Sequence, residues 1–293
     1  MKILSVAIPC YNSSAYMSKC IESLLPGGED IEILVIDDGS EKDNTLEIAR
    51  GYEKKYAGIV RAIHQENMGH GGAVNTGIEN ASGIYFKVVD SDDWVDSDAL
   101  RKIITRLKTL EERGTPADML LTNFIYDKVG TWHKNIMQFR GAFPQNRIIS
   151  WDDMGHMKQT QYILMHNIIY RHSVLEKSGM KLPLHTFYVD NIFAYQPLPY
   201  CEKFYYMDLN FYHYMIGRDD QSVNEKVMIS RIDQQIRVNK IMIDVFTNQQ
   251  WCGLDKNVRK YMMIYLNKIM TVTSVLLLLG GTSEDFQKKA DLW

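Results

Sequence analysis

Two carboxylates two residues apart, Asp90 and Asp92 in the run Asp90-Ser91-Asp92-Asp93, close the hydrophobic stretch Ile84 to Val89 in a chain of 293 residues. Carboxylates so spaced on a bending strand end can share one divalent ion, and an all-oxygen site suits Mg²⁺ or Mn²⁺, ions that also bind substrate phosphates. The plain alternative is an acidic turn that caps the next helix, a role open to Asp96 or Ser97. A second acidic cluster, Asp37-Asp38-Gly39-Ser40, also follows an apolar run; there a carboxylate can accept the ring N–H of a uracil and Gly permits a tight turn. Between the two lies Asn67 to Gly77, NMGHGGAVNTG, whose glycines let backbone N–H groups approach an anion at a helix N-terminus. It lacks the Lys-Ser/Thr of a phosphate-binding P-loop and does not fit GxGxxG, and it follows the third strand instead of the first.

The elements that would hold these clusters repeat in a simple order. Apolar runs at Ile3 to Ile8, Ile31 to Ile36, Ile59 to His64 and Ile84 to Val89 read as four fully apolar strands, with Pro9 breaking the first. Amphipathic segments alternate with them: one capped by Ser13 or Ser14 and running to about Leu25, then Asn44 to Tyr56 and Gly71 to Ala81. This alternation predicts a mainly parallel α/β sheet flanked by helices, with ligands held beyond the carboxyl ends of the strands, where Pro9 to Asn12, Asp37 to Ser40 and Asp90 to Asp93 converge. Leu100 to Leu110 predicts a further helix and Met119 to Tyr126 a further strand. Looser segments follow, then short apolar runs near Tyr162 to Tyr170 and Lys203 to Met207, and helical periodicity from Asn224 onward. A boundary near Gly217 divides an α/β region, residues 1–217, from a helical C-terminal extension, residues 218–293.

The four motifs VAIPCYN, VIDDGSEKDNT, ENMGHGGAVNTG and KVVDSDDW, in this order and spacing, resemble the bacterial-type family 2 glycosyltransferases of the GT-A fold. The resemblance covers about the first hundred residues closely. It implies inverting transfer of a sugar from a nucleoside-diphosphate sugar, with UDP favoured by the resemblance alone, to an acceptor hydroxyl. Carried over by position, Pro9, Tyr11 and Asn12 line the nucleoside pocket, Asp38 meets the base, Asn67, Gly69 and Ser91 belong to the nucleotide-sugar site, and Asp90 and Asp92 hold ribose and metal, with Asp92 the metal ligand. The family's acceptor base is an acidic residue, often in a Glu-Asp pair; HTFYVDNIF offers Asp190, with Val189 where the second carboxylate would stand. Read without the resemblance, Asp190 is equally the N-cap of a helix beginning near Asn191. Val74 stands where the family often has Arg. In FYHYMIGRDDQSV, which is similar to the family's aromatic strand and closing loop, Arg218, Gln221 and Ser222 are expected at the diphosphate. His70 is expected near the donor and His185 near acceptor or metal, while Trp94 packs.

Composition narrows the alternatives. The net charge of −3 and the scattered Lys and Arg offer no footprint for a nucleic-acid backbone. Cys10, Cys20, Cys201 and Cys252 show no zinc or disulfide spacing and are expected to be reduced, in a cytoplasmic protein. MKILSVAIPCYN reads as a first strand, its apolar run being too short for a signal core. Tyr261 to Leu279 is interrupted by Asn267 and Lys268 and reads as a buried or interfacial helix in preference to a membrane span. The abrupt end at ADLW suggests a natural chain that continues further. A saccharide or lipid-linked acceptor is expected, with peripheral association at the inner membrane face. Two rivals remain: a nucleotidyltransferase, which needs a basic Gly-rich loop after the first strand that PCYNSSAYM lacks, and a nucleotide-sugar-binding protein without turnover.

Overall fold

The computed structural model describes the chain apart from residues 129, 131–133, 159, 218–223 and 249–252. In chain order its strands and α-helices are β1 (Leu4–Cys10), α1 (Met17–Leu24), β2 (Ile31–Asp38), α2 (Thr45–Lys55), β3 (Val60–Gln65), α3 (Gly69–Asn80), β4 (Tyr85–Val88), β5 (Trp94–Val95), α4 (Ser97–Glu112), β6 (Met119–Lys128), β7 (Asn135–Met137), β8 (Ile148–Ile149), β9 (Ile168–Arg171), α5 (His172–Ser178), α6 (Asp190–Tyr195), β10 (Phe204–Ile216), α7 (Glu225–Ser230), α8 (Ile232–Thr247), α9 (Lys256–Gly280) and α10 (Ser283–Leu292). One sheet runs β3-β2-β1-β4-β9-β6-β10-β5, with β7 on β6 and β8 on β10. Strands β3, β2, β1 and β4 are parallel; β9 is inserted antiparallel to both β4 and β6, and β10 runs parallel to β6. The sheet is therefore mostly parallel, with helices on both faces and a helical C-terminal region.

The parallel register explains why the polar clusters meet. Cys10 lies opposite Asp37, Asp38 opposite Gln65 and Ala7 opposite Val88, so β1, β2 and β4 all end at one edge. The strand β1 continues through Pro9, where the sequence predicted a break. The carbonyl of Ala7 accepts from Val89 N–H, so Pro9, two residues on, faces the same neighbour beyond the end of β4, where its missing donor breaks no ladder bond. Nor are the strands fully apolar. Glu32 is buried against Ser5, Ser82 and Arg61, and Lys87 is fully buried, its Nζ donating to the carbonyls of Met165 (2.7 Å) and His166 (2.9 Å). Glu32 and Lys87 both have partners, which is what allows them in strands covered on both faces.

The predicted capping serine of α1 does other work. Ser13 Oγ accepts from Tyr11 N–H and lies 2.9 Å from Ser91 Oγ, tying the end of β1 to the turn after β4, and α1 has no side-chain cap. Asp96 does cap α4, accepting from Ala99 N–H at 2.7 Å. The long helix α9 turns Tyr261, Met262, Tyr265, Leu266, Ile269 and Met270 into the core that also holds Phe86, Leu121, Tyr170 and Phe204 from the sheet. By length and composition α9 is apolar enough to cross a membrane, and half of that stretch is buried within the protein. Its 3.6-residue spacing of buried positions is that of a helix laid on a sheet.

Candidate active site

Above the carboxyl ends of β1, β2 and β4 lies a cleft of about 520 Å³. Its lining includes Pro9, Tyr11, Asp38, Asn67, Gly69, Asp90, Ser91, Asp92 and Asp190, so that nine of the sequence-predicted site residues face one cavity. Asn12 stands beside it with a left-handed backbone (φ 51°), its amide donating to Ser40 Oγ and its side chain accepting from Lys42 N–H. Arg218, Gln221 and Ser222 lie outside the described residues. His70, His185 and the predicted helix cap Asp190 are placed within the same lining, while Trp94 stacks on His213 at 5.1 Å, away from the cleft.

At one end, Asp38 is buried and its Oδ1 accepts from Gln65 Nε2 (2.7 Å) and Met68 N–H (2.8 Å), which fixes the carboxylate. Asn67 Nδ2 donates to the Asp38 carbonyl, closing the loop that leads into α3. At the middle, the turn after β4 presents Asp90, Ser91 and Asp92. His70 Nε2 lies 2.9 Å from Asp90 Oδ1. Burial raises Asp90, but the His70 hydrogen bond and positive charge outweigh it and hold the carboxyl below its usual range. For His70 burial opposes the charged form, and the carboxylates of Asp90, Asp190 and Asp38 overcome it and raise the imidazole. Asp93, the fourth residue of the run, points inward: Tyr212 Oη donates to its Oδ2 (2.5 Å) and Met215 N–H to its Oδ1 (2.8 Å), and burial with the neighbouring Asp90 and Asp92 pushes it well up.

Across the cleft stands Asp190. It is the first residue of α6, with Val189 at the cap position and no side-chain cap, so it does not take the N-cap role. Burial, with a contribution from Asp90 and against the pull of His70, raises its carboxyl to about 6. The segment that delivers it is held at several points. Asn75 clamps Leu182 by two hydrogen bonds, Nδ2 to its carbonyl and Oδ1 from its amide, each 2.9 Å. His185 N–H donates to the Met68 carbonyl, Phe187 N–H to Gln234 Oε1, and Arg237 to Thr186 Oγ1, while Arg231 covers the Phe187 ring. His185 and Tyr188 have positive φ (46° and 66°), conformations kept only where the surroundings over-determine them. The glycine run serves this segment directly. A Cβ at Gly69 would lie 3.0 Å from the His185 backbone and one at Gly71 2.6 Å from the Pro183 carbonyl oxygen. The space that side chains would fill at the start of α3 is thus occupied by the segment that carries Asp190.

Three residues of the site carried no flag in the sequence. Asn75 sits in a motif read for its glycines and for Asn67, His70 and Val74. Lys87 was legible in principle, as the one charge in an apolar run ending in acids, a position that demands partners. Burial lowers its amine to about 7, against the pull of Asp90 and Asp93. His166, on a 3₁₀ turn at Met165–Asn167, gives no local signal at all. Its ring faces Tyr212 (4.9 Å) and Tyr214 (4.3 Å), and burial lowers it to about 4.

A mostly parallel sheet with an acidic turn after its fourth strand, a buried carboxylate after its second and a carboxyl across the cleft defines a fold of the GT-A kind. The same fold is seen in S. aureus TarS 1-349 in complex with UDP-GlcNAc (TM-score 0.61, 19% identity, covering 100% of this chain and 89% of that one). It is also seen in the mannosyltransferase PcManGT of Pyrobaculum calidifontis in complex with GDP-Man and Mn²⁺ (TM-score 0.59, 12% identity, covering 98% and 78%). The chain belongs to Glycosyl transferase family 2, whose profile matches residues 5–179. Among its relatives is the uncharacterized glycosyltransferase EpsJ of Bacillus subtilis (strain 168), 31% identical over 188 residues, which are 61% of this chain and half of that protein's length.

Proposed function

We propose that the protein is an inverting glycosyltransferase that moves a sugar from a nucleoside-diphosphate sugar, best read as a UDP-sugar, to an acceptor hydroxyl. The observation that carries this reading is that Asp38, the Asp90-Ser91-Asp92 turn and Asp190 line one cleft. Asp38 suits the base, and structures of the same fold in complex with UDP-GlcNAc and with GDP-Man support a nucleotide-sugar donor. The residues fit a divalent ion: a ring nitrogen of His166 lies within 4.8 Å of carboxylate oxygens of Asp90 and Asp93, and the Nδ1 of that ring is buried without a hydrogen-bond partner. Mn²⁺ or Mg²⁺ held through Asp92, with Asp90, would neutralise charge developing on the departing diphosphate.

The protein's own part is proton removal and placement. Asp190, as carboxylate, takes the acceptor hydroxyl proton while that oxygen bonds to the anomeric carbon and the sugar–phosphate bond breaks on the opposite face, releasing the nucleoside diphosphate. One base suffices and no protein nucleophile is required, so the configuration inverts. Val189, where the family's second carboxylate would stand, leaves Asp190 the sole acid of that pair. The acceptor is a saccharide or a lipid-linked molecule; the apolar outer stripe of α9, where Ile264, Val272, Val275 and Leu279 are exposed, suits peripheral contact with a membrane that would carry the latter, which flotation with anionic vesicles tests.

The test is calorimetry of UDP with and without Mn²⁺, joined to a UDP-release assay. Metal-dependent UDP binding that is lost in Asp92→Ala supports the reading. Absence of nucleotide binding under every metal condition refutes it. Binding without release of UDP from any donor and acceptor tried would instead favour a nucleotide-sugar-binding protein.

A further inference from the structure

We infer that His166 supplies a nitrogen ligand to the divalent cation of this cleft and thereby biases the site toward Mn²⁺ over Mg²⁺. The inference rests on the reading that the acidic turn holds a cation, and adds a residue that lies outside the motifs read from the sequence.

A ring nitrogen of His166 and carboxylate oxygens of Asp90 and Asp93 lie within 4.8 Å of one another. Ligands on opposite sides of an ion with bonds near 2.1 Å are roughly 4.2 Å apart, so a movement of a few tenths of an ångström brings this set onto one ion. His166 is 6% exposed and its Nδ1 is fully buried with no hydrogen-bond partner, an arrangement that is destabilising unless something else satisfies it. The ring does not choose its place freely. Tyr212 and Tyr214 pack against its faces, the Phe124 edge lies 5.9 Å away, and its carbonyl is bound by Lys87 Nζ. Asp93 is held as firmly, by Tyr212 Oη and Met215 N–H. This is a supported ligand set, in which outer partners orient each donor. An imidazole nitrogen is a poor ligand for Mg²⁺ and an acceptable one for Mn²⁺, which gives the selectivity its sign.

Pulsed electron paramagnetic resonance of Mn²⁺ bound to the protein with UDP reads the ligand directly, without turnover. The expected result is ¹⁴N modulation in the wild type, replaced by the ¹⁵N pattern after histidine-selective labelling and retained in His70→Ala and His185→Ala. In His166→Phe, which keeps an aromatic ring between the tyrosines, the modulation disappears and the Mn²⁺-over-Mg²⁺ preference in calorimetry falls at least tenfold. Mn²⁺ bound without nitrogen modulation in the wild type overturns this inference and spares the cation reading. Modulation lost in His70→Ala or His185→Ala assigns the nitrogen elsewhere and also overturns it, whether or not His166→Phe folds. No Mn²⁺ binding at all removes both.

Discussion

Replacing Asp190 by Asn is expected to destroy turnover and to stabilise the fold, two effects of opposite sign from one atom. The carboxyl is raised from 3.8 to about 6, chiefly by burial. Because the folded value lies above the unfolded one, the protonated form favours the fold: the wild type is most stable with respect to this group below pH 4 and loses that stability as pH rises through about 6. The difference corresponds to up to ~3 kcal/mol of destabilisation at neutral pH, which an uncharged amide of the same shape escapes. At roughly 2 °C per kcal/mol for a chain of this size, Asp190→Asn should melt several degrees above the wild type at pH 7.5 and level with it near pH 4. Catalysis runs the other way. The base works only as carboxylate, so wild-type kcat/KM should fall about tenfold per pH unit below pH 6, and Asn at this position should lower kcat by ~10²–10⁴ at pH 7.5 with UDP affinity unchanged. Parallel thermal melts and UDP-release rates across pH 4 to pH 9 measure both. A variant that keeps kcat within tenfold of wild type, or that melts lower at pH 7.5 than at pH 4 relative to wild type, refutes the reasoning.

Asn75→Ala leaves the Leu182 amide and carbonyl unpaired in a buried place and should cost about 2–4 kcal/mol in denaturant unfolding, with kcat falling more than UDP affinity because the displaced segment carries Asp190. Gly71→Ala forces a Cβ to 2.6 Å from the Pro183 oxygen and should destabilise by ~1–3 kcal/mol, with a further loss of kcat; unchanged stability and rate would mean the segment can retreat freely. Chelation by EDTA should weaken UDP binding at least tenfold, reversibly on adding Mn²⁺, as followed by calorimetry. Lys87→Met, which cuts the two carbonyl bonds that seat the His166 turn, should lower Mn²⁺ affinity despite removing a positive charge; tighter Mn²⁺ binding would show that charge, and not placement, is what Lys87 contributes.

The first hundred residues disclosed their architecture because each signal there is local. An apolar run, a turn of Asp, Gly and Ser and an amphipathic segment each act within about a dozen residues, and a parallel sheet then sends every strand end to one edge. Pro9, Asp38, Asp90 and Asp92 were legible for that reason. Even there the sequence misjudged Pro9, Ser13, Glu32 and Lys87, since whether a proline breaks a ladder or a charge tolerates burial depends on which neighbour stands beside it. The far half of the site was settled only by tertiary structure. Asn75 reaches Leu182 across 107 positions, Lys87 reaches Met165 across 78, and the backbone of His185 fills the space that Gly69 leaves open. Asp190 was reachable by resemblance, but its place opposite the acidic turn, its burial and its position inside α6 instead of at its cap arise from contacts that no window of sequence contains. Local chemistry writes turns and periods into the chain, whereas the pairing of distant groups is chosen by the packing that buries them together.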